Sequence, residues 1–283
     1  MTNVILLALA GLIVAPLVGG LIGGIDRKLT ARAQGRFGPP IVQSFYDVAK
    51  LWAKETTVAN PWLTFCSWVY VGAAATSVVL FFMMGDLLLI FFVQAIGAVF
   101  LVIGALSVPS PYSQVGGQRE LLQILAYEPL LILVIAGIYV TTDSFKVEAV
   151  IAHDTPLLLE LPLLFIVLGY ALTIKLRKSP FDISGSHHAH QELVKGVYTE
   201  YVGRNLALVE IAHWYETILI LGFVALFWTT SLVGLVVLLL VTYALEIIID
   251  NISARLTWRW MLGSVWIAGL CLSTVNLAWL YFA

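Results

Sequence analysis

Residues 206–250 read LALVEIAHWYETILILGFVALFWTTSLVGLVVLLLVTYALEIIID. These 45 residues hold no Lys or Arg, and their one cluster of turn-forming residues is Thr229-Thr230-Ser231. A hydrocarbon core about 30 Å thick needs about 20 apolar helical residues. The stretch therefore predicts two consecutive membrane spans, 206–229 and 231–249, joined by a short turn. Both must be helical, because a backbone in lipid has to satisfy its own polar groups.

Working outward, the same signature recurs at 3–25, 62–84, 87–107, 121–142, 157–175 and 260–282. The expected fold class is an all-α membrane protein with eight transmembrane helices, a single polytopic domain over residues 1–283. Composition agrees: 60% of the 283 residues are hydrophobic and 11% are charged, against about 25% charged in soluble domains. A formal net charge of −2 removes the global electrostatic case for nucleic acid. Cys66 and Cys271 both lie in apolar runs. Two isolated cysteines build neither a disulfide framework nor a zinc or iron–sulfur site within this chain. The first span lacks a basic leader and a small-residue cleavage site, so it reads as a span rather than a signal peptide.

Fourteen of the fifteen Lys and Arg fall in the stretches 26–61, 108–120, 175–205 and 250–259, with Lys146 alone opposite. Eight spans place all four stretches on one side. The positive-inside rule makes that side cytoplasmic and both termini external, in a cell (plasma) membrane. Trp228, Trp279 and Tyr281 mark the outer ends, and Trp62, Trp258 and Trp260 the inner ones, as expected of an aromatic belt. Residues 41–55 alternate Ile41, Phe45, Val48 and Trp52 with Gln43, Asp47, Lys50 and Lys54. That pattern is too short and too charged to span, and predicts an amphipathic helix on the cytoplasmic surface. A further short helix is expected around Val147 to Ile151. Gly19, Gly20, Gly23 and Gly24 make two overlapping GxxxG pairs, a stripe suited to close helix packing.

Ionisable groups within spans are costly and mark function by default. Glu128, Glu160, Glu210, Glu216 and Glu246 qualify, with His213 between two of them at i+3 and i+6 from Glu210. The imidazole is positioned to connect both acids along one helix face. Pro129 frees the carbonyl of Leu125 from its helix ladder, which predicts a water-bridged site beside Glu128. Together these acids suggest a polar ion pathway. Their alternative role is capping or helix-to-helix hydrogen bonding. In the cytoplasmic interface loop, about 176–205, His187, His188 and His190 suggest a metal at first sight, but no cysteine and few carboxylates stand at ligand spacing. The expectation is no metal site and either a contact with a partner subunit or protonation at a subunit interface. No dinucleotide fingerprint, P-loop or nucleophile elbow is present, so the chain is not expected to be catalytic alone.

The order of several motifs resembles a known family. Asp26-Arg27-Lys28 is followed by Arg32, Gln34, Arg36, Gly38 and Pro39. Then come Tyr127-Glu128, Ser179-Pro180-Phe181-Asp182, Glu192-Leu193-Val194-Lys195-Gly196 and Thr199-Glu200-Tyr201. Together they resemble the H subunit of respiratory complex I and its relatives in energy-converting membrane-bound nickel–iron (NiFe) hydrogenases. The likeness runs from the first span to about Glu216. It implies a subunit that docks a peripheral redox arm and starts a polar path towards antiporter-like subunits. By position, Arg27, Arg32 and Arg36 would shape a chamber mouth, and Asp182, Glu192 and Glu200 would line the interface loop.

Quinone-reducing members carry several acids directly after Pro-Phe-Asp. Here Gly185, Ser186, His187, His188, Ala189 and His190 intervene, and Leu208 to Trp214 looks more like the hydrogenase branch. The resemblance thus implies an anchoring and ion-coupling subunit of an energy-converting hydrogenase, linking ferredoxin-dependent hydrogen evolution to proton or sodium movement. Its partners would be the NiFe large subunit, an iron–sulfur small subunit and antiporter-like membrane subunits. The NiFe centre and iron–sulfur clusters would reside in those partners, with no cofactor in this chain. The alternative is the H subunit of a quinone- or phenazine-reducing dehydrogenase. An independent transporter is disfavoured by the absence of paired broken-helix repeats.

Overall fold

The computed structural model describes residues 2–55, 60–181, 184–185 and 195–282. The described chain is helical without a β-sheet; a lone bridge joins Asp86 to Lys146. The long helices are α1 (Thr2–Ala33), α3 (Pro61–Phe82), α4 (Leu87–Leu106), α5 (Pro111–Thr142), α9 (Arg204–Ala225), α10 (Leu232–Ile252) and α11 (Trp258–Phe282). Among the described residues these seven are long and apolar enough to cross a membrane. An eighth apolar helix, α8 (Pro162–Lys175), is shorter and is preceded by the single turn α7 (Leu157–Glu160). α2 (Gln43–Ala53) and α6 (Val147–Ile151) are the two surface helices expected from the pattern.

Local chemistry sets the boundaries. Asn60 accepts from Trp62 N at 3.0 Å with Pro61 at the first helical position of α3. Asp86 caps α4 through Leu88 N and Leu89 N. Ser231 caps α10 through Gly234 N at 3.2 Å. Such side chains satisfy amides that have no partner within the helix. α9 stops at Ala225, four residues before the expected turn, and the buried Leu226 and Phe227 continue the core beyond its end.

Three expectations need correction. The stretch 108–120 is not a loop, because Pro111 starts a helix that runs unbroken through Arg119 and Glu120 to Thr142. α1 likewise continues past Asp26 to Ala33. The span expected at 157–175 breaks at Leu161, ahead of Pro162. The buried Asn276 of α11 repairs that break: its Oδ1 accepts from Leu163 N at 2.9 Å and Leu164 N at 3.1 Å, and its Nδ2 donates to Glu160 O at 3.1 Å. Irregular backbone at membrane depth survives only when protein groups satisfy it in this way.

The glycine stripe of α1 works as a groove. A Cβ on Gly19 would stand 2.5 Å from Trp214 O, and one on Gly24 would stand 1.8 Å from Ile41 O. α9 and the entry to α2 therefore seat directly against the α1 backbone. The described part of the 176–205 loop also folds inward: Val197, Tyr198 and Tyr201 are buried, and Tyr201 OH donates to Leu101 O at 2.7 Å.

Candidate functional site: a charged interior beneath a cavity

α8 ends at Lys175 and is followed by Leu176-Arg177-Lys178, and the three cations turn into the bundle. Lys175 Nζ lies 3.2 Å from Glu216 Oε1 and 3.2 Å from Tyr127 OH. Arg177 donates to Glu120 Oε1 at 3.0 Å, whose other oxygen accepts from Ser184. Lys178 donates to Asp26 Oδ1 at 2.9 Å and lies over the Tyr243 ring. Arg177 adopts φ +55, a region uncommon for a residue with a Cβ, as the chain reverses to aim consecutive cations at different helices.

His213 joins the first two pairs. Its Nδ1 stands 3.1 Å from Glu216 Oε2 and 3.0 Å from Tyr70 OH. Its Nε2 stands 2.7 Å from Tyr198 OH and 3.0 Å from Arg177 NH1. A guanidinium has donors only, so Nε2 accepts and the ring donates through Nδ1 to Glu216. Gln94 supplies another donor to Glu216 Oε1. The chain Ser184, Glu120, Arg177, His213, Glu216, Lys175, Tyr127 is thus continuous. Buried charges persist only when paired and hydrogen-bonded in this manner.

A second network lies beside it. Thr173 Oγ1 donates to Glu246 Oε1 at 3.0 Å, and Ser179 N donates to Asp250 Oδ1 at 2.8 Å. Glu246 Oε2 is buried with no hydrogen-bond partner among the described residues. Both networks border a cavity of about 990 Å³ whose wall includes Asp26, Arg36, Arg177, Glu210, His213 and Glu216.

The expected site residues separate into groups. Glu216 and His213 meet directly; Glu210 is on the same helix and lines the cavity, but His213 turns to Arg177 and Tyr198 instead of connecting it. Arg27 lines the cavity and pairs with Asp47 of α2 at 2.9 Å. Arg36 lines it too and donates to Gln34. Arg32 does not: its guanidinium covers the Phe37 ring at 5.2 Å. Glu128 is half-buried, and its Oε1 has no partner among the described residues. The Leu125 carbonyl freed by Pro129 receives the Trp266 indole N–H at 3.3 Å, so a neighbouring helix repairs the ladder there. Glu160 belongs to the opposite end of the bundle, where its Oε1 meets His153 at 3.2 Å and Thr155. Glu200 is half-buried in the turn before α9 and does not line the large cavity. Asp182, His187, His188, His190 and Glu192 lie outside the described residues.

Sequence reasoning passed over Glu120, Lys175, Arg177 and Lys178, and read Asp26 only as part of the Asp26-Arg27-Lys28 motif. The three cations read as ordinary loop charges and Glu120 as part of a loop. One signal was available: acids inside spans require cationic partners, and Lys175, Arg177 and Lys178 directly follow an apolar helix.

Among the described residues no three His, Cys, Asp or Glu side chains are grouped as a metal site. Fold and interior together define the class: a multi-pass membrane subunit with paired charges buried under a cavity at its basic end. The chain belongs to the NADH dehydrogenase family, whose model matches residues 4–281. It is 28% identical to hydrogenase-4 component C of Escherichia coli, over 98% of this chain and 96% of that one. It is 30% identical to formate hydrogenlyase subunit 4 of the same organism, over 68% of this chain and 67% of that one. Among solved structures it matches a chain of the membrane-bound sulfane sulfur reductase, an archaeal respiratory membrane complex. There the TM-score is 0.87 and the identity 26%, over 98% of this chain and 99% of that one. The chain is a membrane subunit of complex I-related, hydrogenase-type complexes.

Proposed function

We propose that this subunit anchors a nickel–iron hydrogenase arm to the membrane and couples ferredoxin-dependent hydrogen evolution to proton or sodium movement. The near full-length likeness to hydrogenase-4 component C supports the hydrogenase branch. The metal centres would belong to partner subunits, the NiFe large subunit and an iron–sulfur small subunit, with antiporter-like subunits alongside in the membrane. The basic end would face the cytoplasm, where fourteen of fifteen cations fall.

One observation carries the coupling role: the unbroken chain from Glu120 through Arg177, His213 and Glu216 to Lys175. Lysine is a compact charge on a flexible stem; Lys175 holds Glu216 at 3.2 Å, while Glu128 offers an Oε1 without a partner among the described residues. A redox change at the docked arm alters the field at the cavity. Lys175 then moves between the two acids, and the acid it leaves takes up the coupling ion. Glu210 on the cavity wall would supply that ion.

The test uses membrane vesicles carrying the complex, supplied with reduced ferredoxin. Glu216→Gln, Glu128→Gln and Glu210→Gln are each expected to lower ions moved per hydrogen evolved while hydrogen evolution continues. An unaltered ion-to-hydrogen ratio in all three would overturn the relay. A second reading, quinone reduction, is favoured by the size of the cavity, about 990 Å³, which lies within the about 300–1,000 Å³ of small-molecule pockets. Its charged wall argues against it, since such sites are mostly apolar. Quinone-analogue-sensitive electron transfer in the same vesicles would establish it.

A further inference from the structure

A second, smaller cavity of about 230 Å³ opens between α2, α9 and Lys195, which directly precedes the Gly196 to Tyr198 turn. Its wall carries Arg27, Lys50, Lys54 and Lys195 against Asp47 and Glu210. Arg27 and Asp47 neutralise each other at 2.9 Å. Three lysines then share the wall with one carboxylate, Lys50 and Lys54 exposed and Lys195 half-buried, and among the described residues none of the three makes a hydrogen bond or an ion pair. The rest of the wall is Ser44 and the apolar Val48, Leu51, Leu206 and Trp214.

We propose that this cavity binds the phosphate headgroup of an anionic phospholipid, with its glycerol and first acyl carbons against Leu51, Leu206 and Trp214. Three features converge on that chemistry. Like charges gathered in a partly enclosed space call for an anion, and lysine is an established partner of phosphate. The gathering lies beneath an amphipathic helix, and such helices rest at headgroup depth, where basic pockets between helices take up anionic lipid. The apolar part of the wall suits acyl carbon and offers nothing to a hydrated inorganic ion. Burial holds the Lys195 ammonium below the usual lysine range, Glu210 opposes that, and the like charge of Lys54 adds to it. A phosphate would relieve this strain. Glu210 borders both cavities, so a bound lipid competes with it for Lys195 and tethers α2 to the chain entering α9.

The experiment takes the intact complex, purified in mild detergent, and counts retained phospholipid by native mass spectrometry. Wild type is expected to keep one phosphatidylglycerol or cardiolipin that the variant Lys50→Gln/Lys54→Gln/Lys195→Gln loses. Each lysine removed should weaken reloading about fivefold, and all three about a hundredfold. Lys54→Gln alone changes an exposed residue and keeps the test decisive if the triple variant fails to assemble. After delipidation, phosphatidylglycerol should reload the site and phosphatidylcholine should not. Equal retention by wild type and Lys54→Gln overturns the proposal. So does displacement of the lipid by inorganic phosphate alone, which would make this a free-anion site. Cross-linking of Lys195 to an acidic segment of another subunit would overturn it equally, as a protein interface. The readout is lipid retention, independent of whether the network couples ions.

Discussion

Glu216 and Glu246 are buried almost equally, at 6% and 4% exposure, yet their surroundings differ sharply. Glu216 receives Lys175, Gln94 and His213; Glu246 receives one hydroxyl, from Thr173, and leaves an oxygen without a partner. The difference teaches that burial alone does not define a site in such a bundle. What matters is how many donors, and which charges, neighbouring helices deliver. The α8 terminus delivers Lys175 and Arg177 towards α9 and α5, and Lys178 towards α1 and α10, so one short segment serves both networks.

The largest expected effect breaks the better-paired side. Glu216→Gln strands Lys175 in the interior, and removing one partner of a buried pair costs about 3–5 kcal/mol. The melting temperature of the solubilised complex should fall markedly. The double variant Glu216→Gln/Lys175→Met should recover part of that loss, because the stranded charge is gone. A double variant no better than the sum of its single changes would show that the pair is not coupled.

Asn276→Ala follows. It removes three hydrogen bonds at the α7 to α8 break, each contributing about 0.5–1.5 kcal/mol. The expected loss is about 2–3 kcal/mol, with faster amide exchange confined to residues around Leu161 to Leu164. Protection that stays unchanged there would mean that the break closes without α11.

Glu246→Gln should be far milder than Glu216→Gln, at about 1 kcal/mol or less in the same melt, because no cation is left stranded. An equal loss in both would erase the contrast between the two networks. Arg27→Ala is expected to be the smallest, within the about 0–1 kcal/mol of an exposed pair, since both partners are about 40% exposed. Its partner change Asp47→Ala should be indistinguishable in stability.

Much of the architecture could be read from the chain alone, because lipid leaves helix as the available form for a long apolar run. The two spans in 206–250 and the surface helix near 41–55 followed from length and period. Boundaries were less accessible. Nothing in residues 108–120 opposed a loop, but Pro111 at a first helical position and contacts with the buried loop around Val197 extended α5 through them.

By itself the sequence determined the solvent, the helical class and the presence of acids within spans, since these depend on local hydropathy and residue type. Tertiary structure alone decided which acids act together. Glu120 of α5, Arg177 of the turn after α8 and the His213–Glu216 pair of α9 come from two separate helices and a turn, and apart from the i,i+3 spacing within that pair no spacing along the chain encodes their distances. Pairing of a buried charge is a property of what crosses it in space, so Glu160 and Glu216, alike on paper, ended at opposite ends of the bundle with different partners.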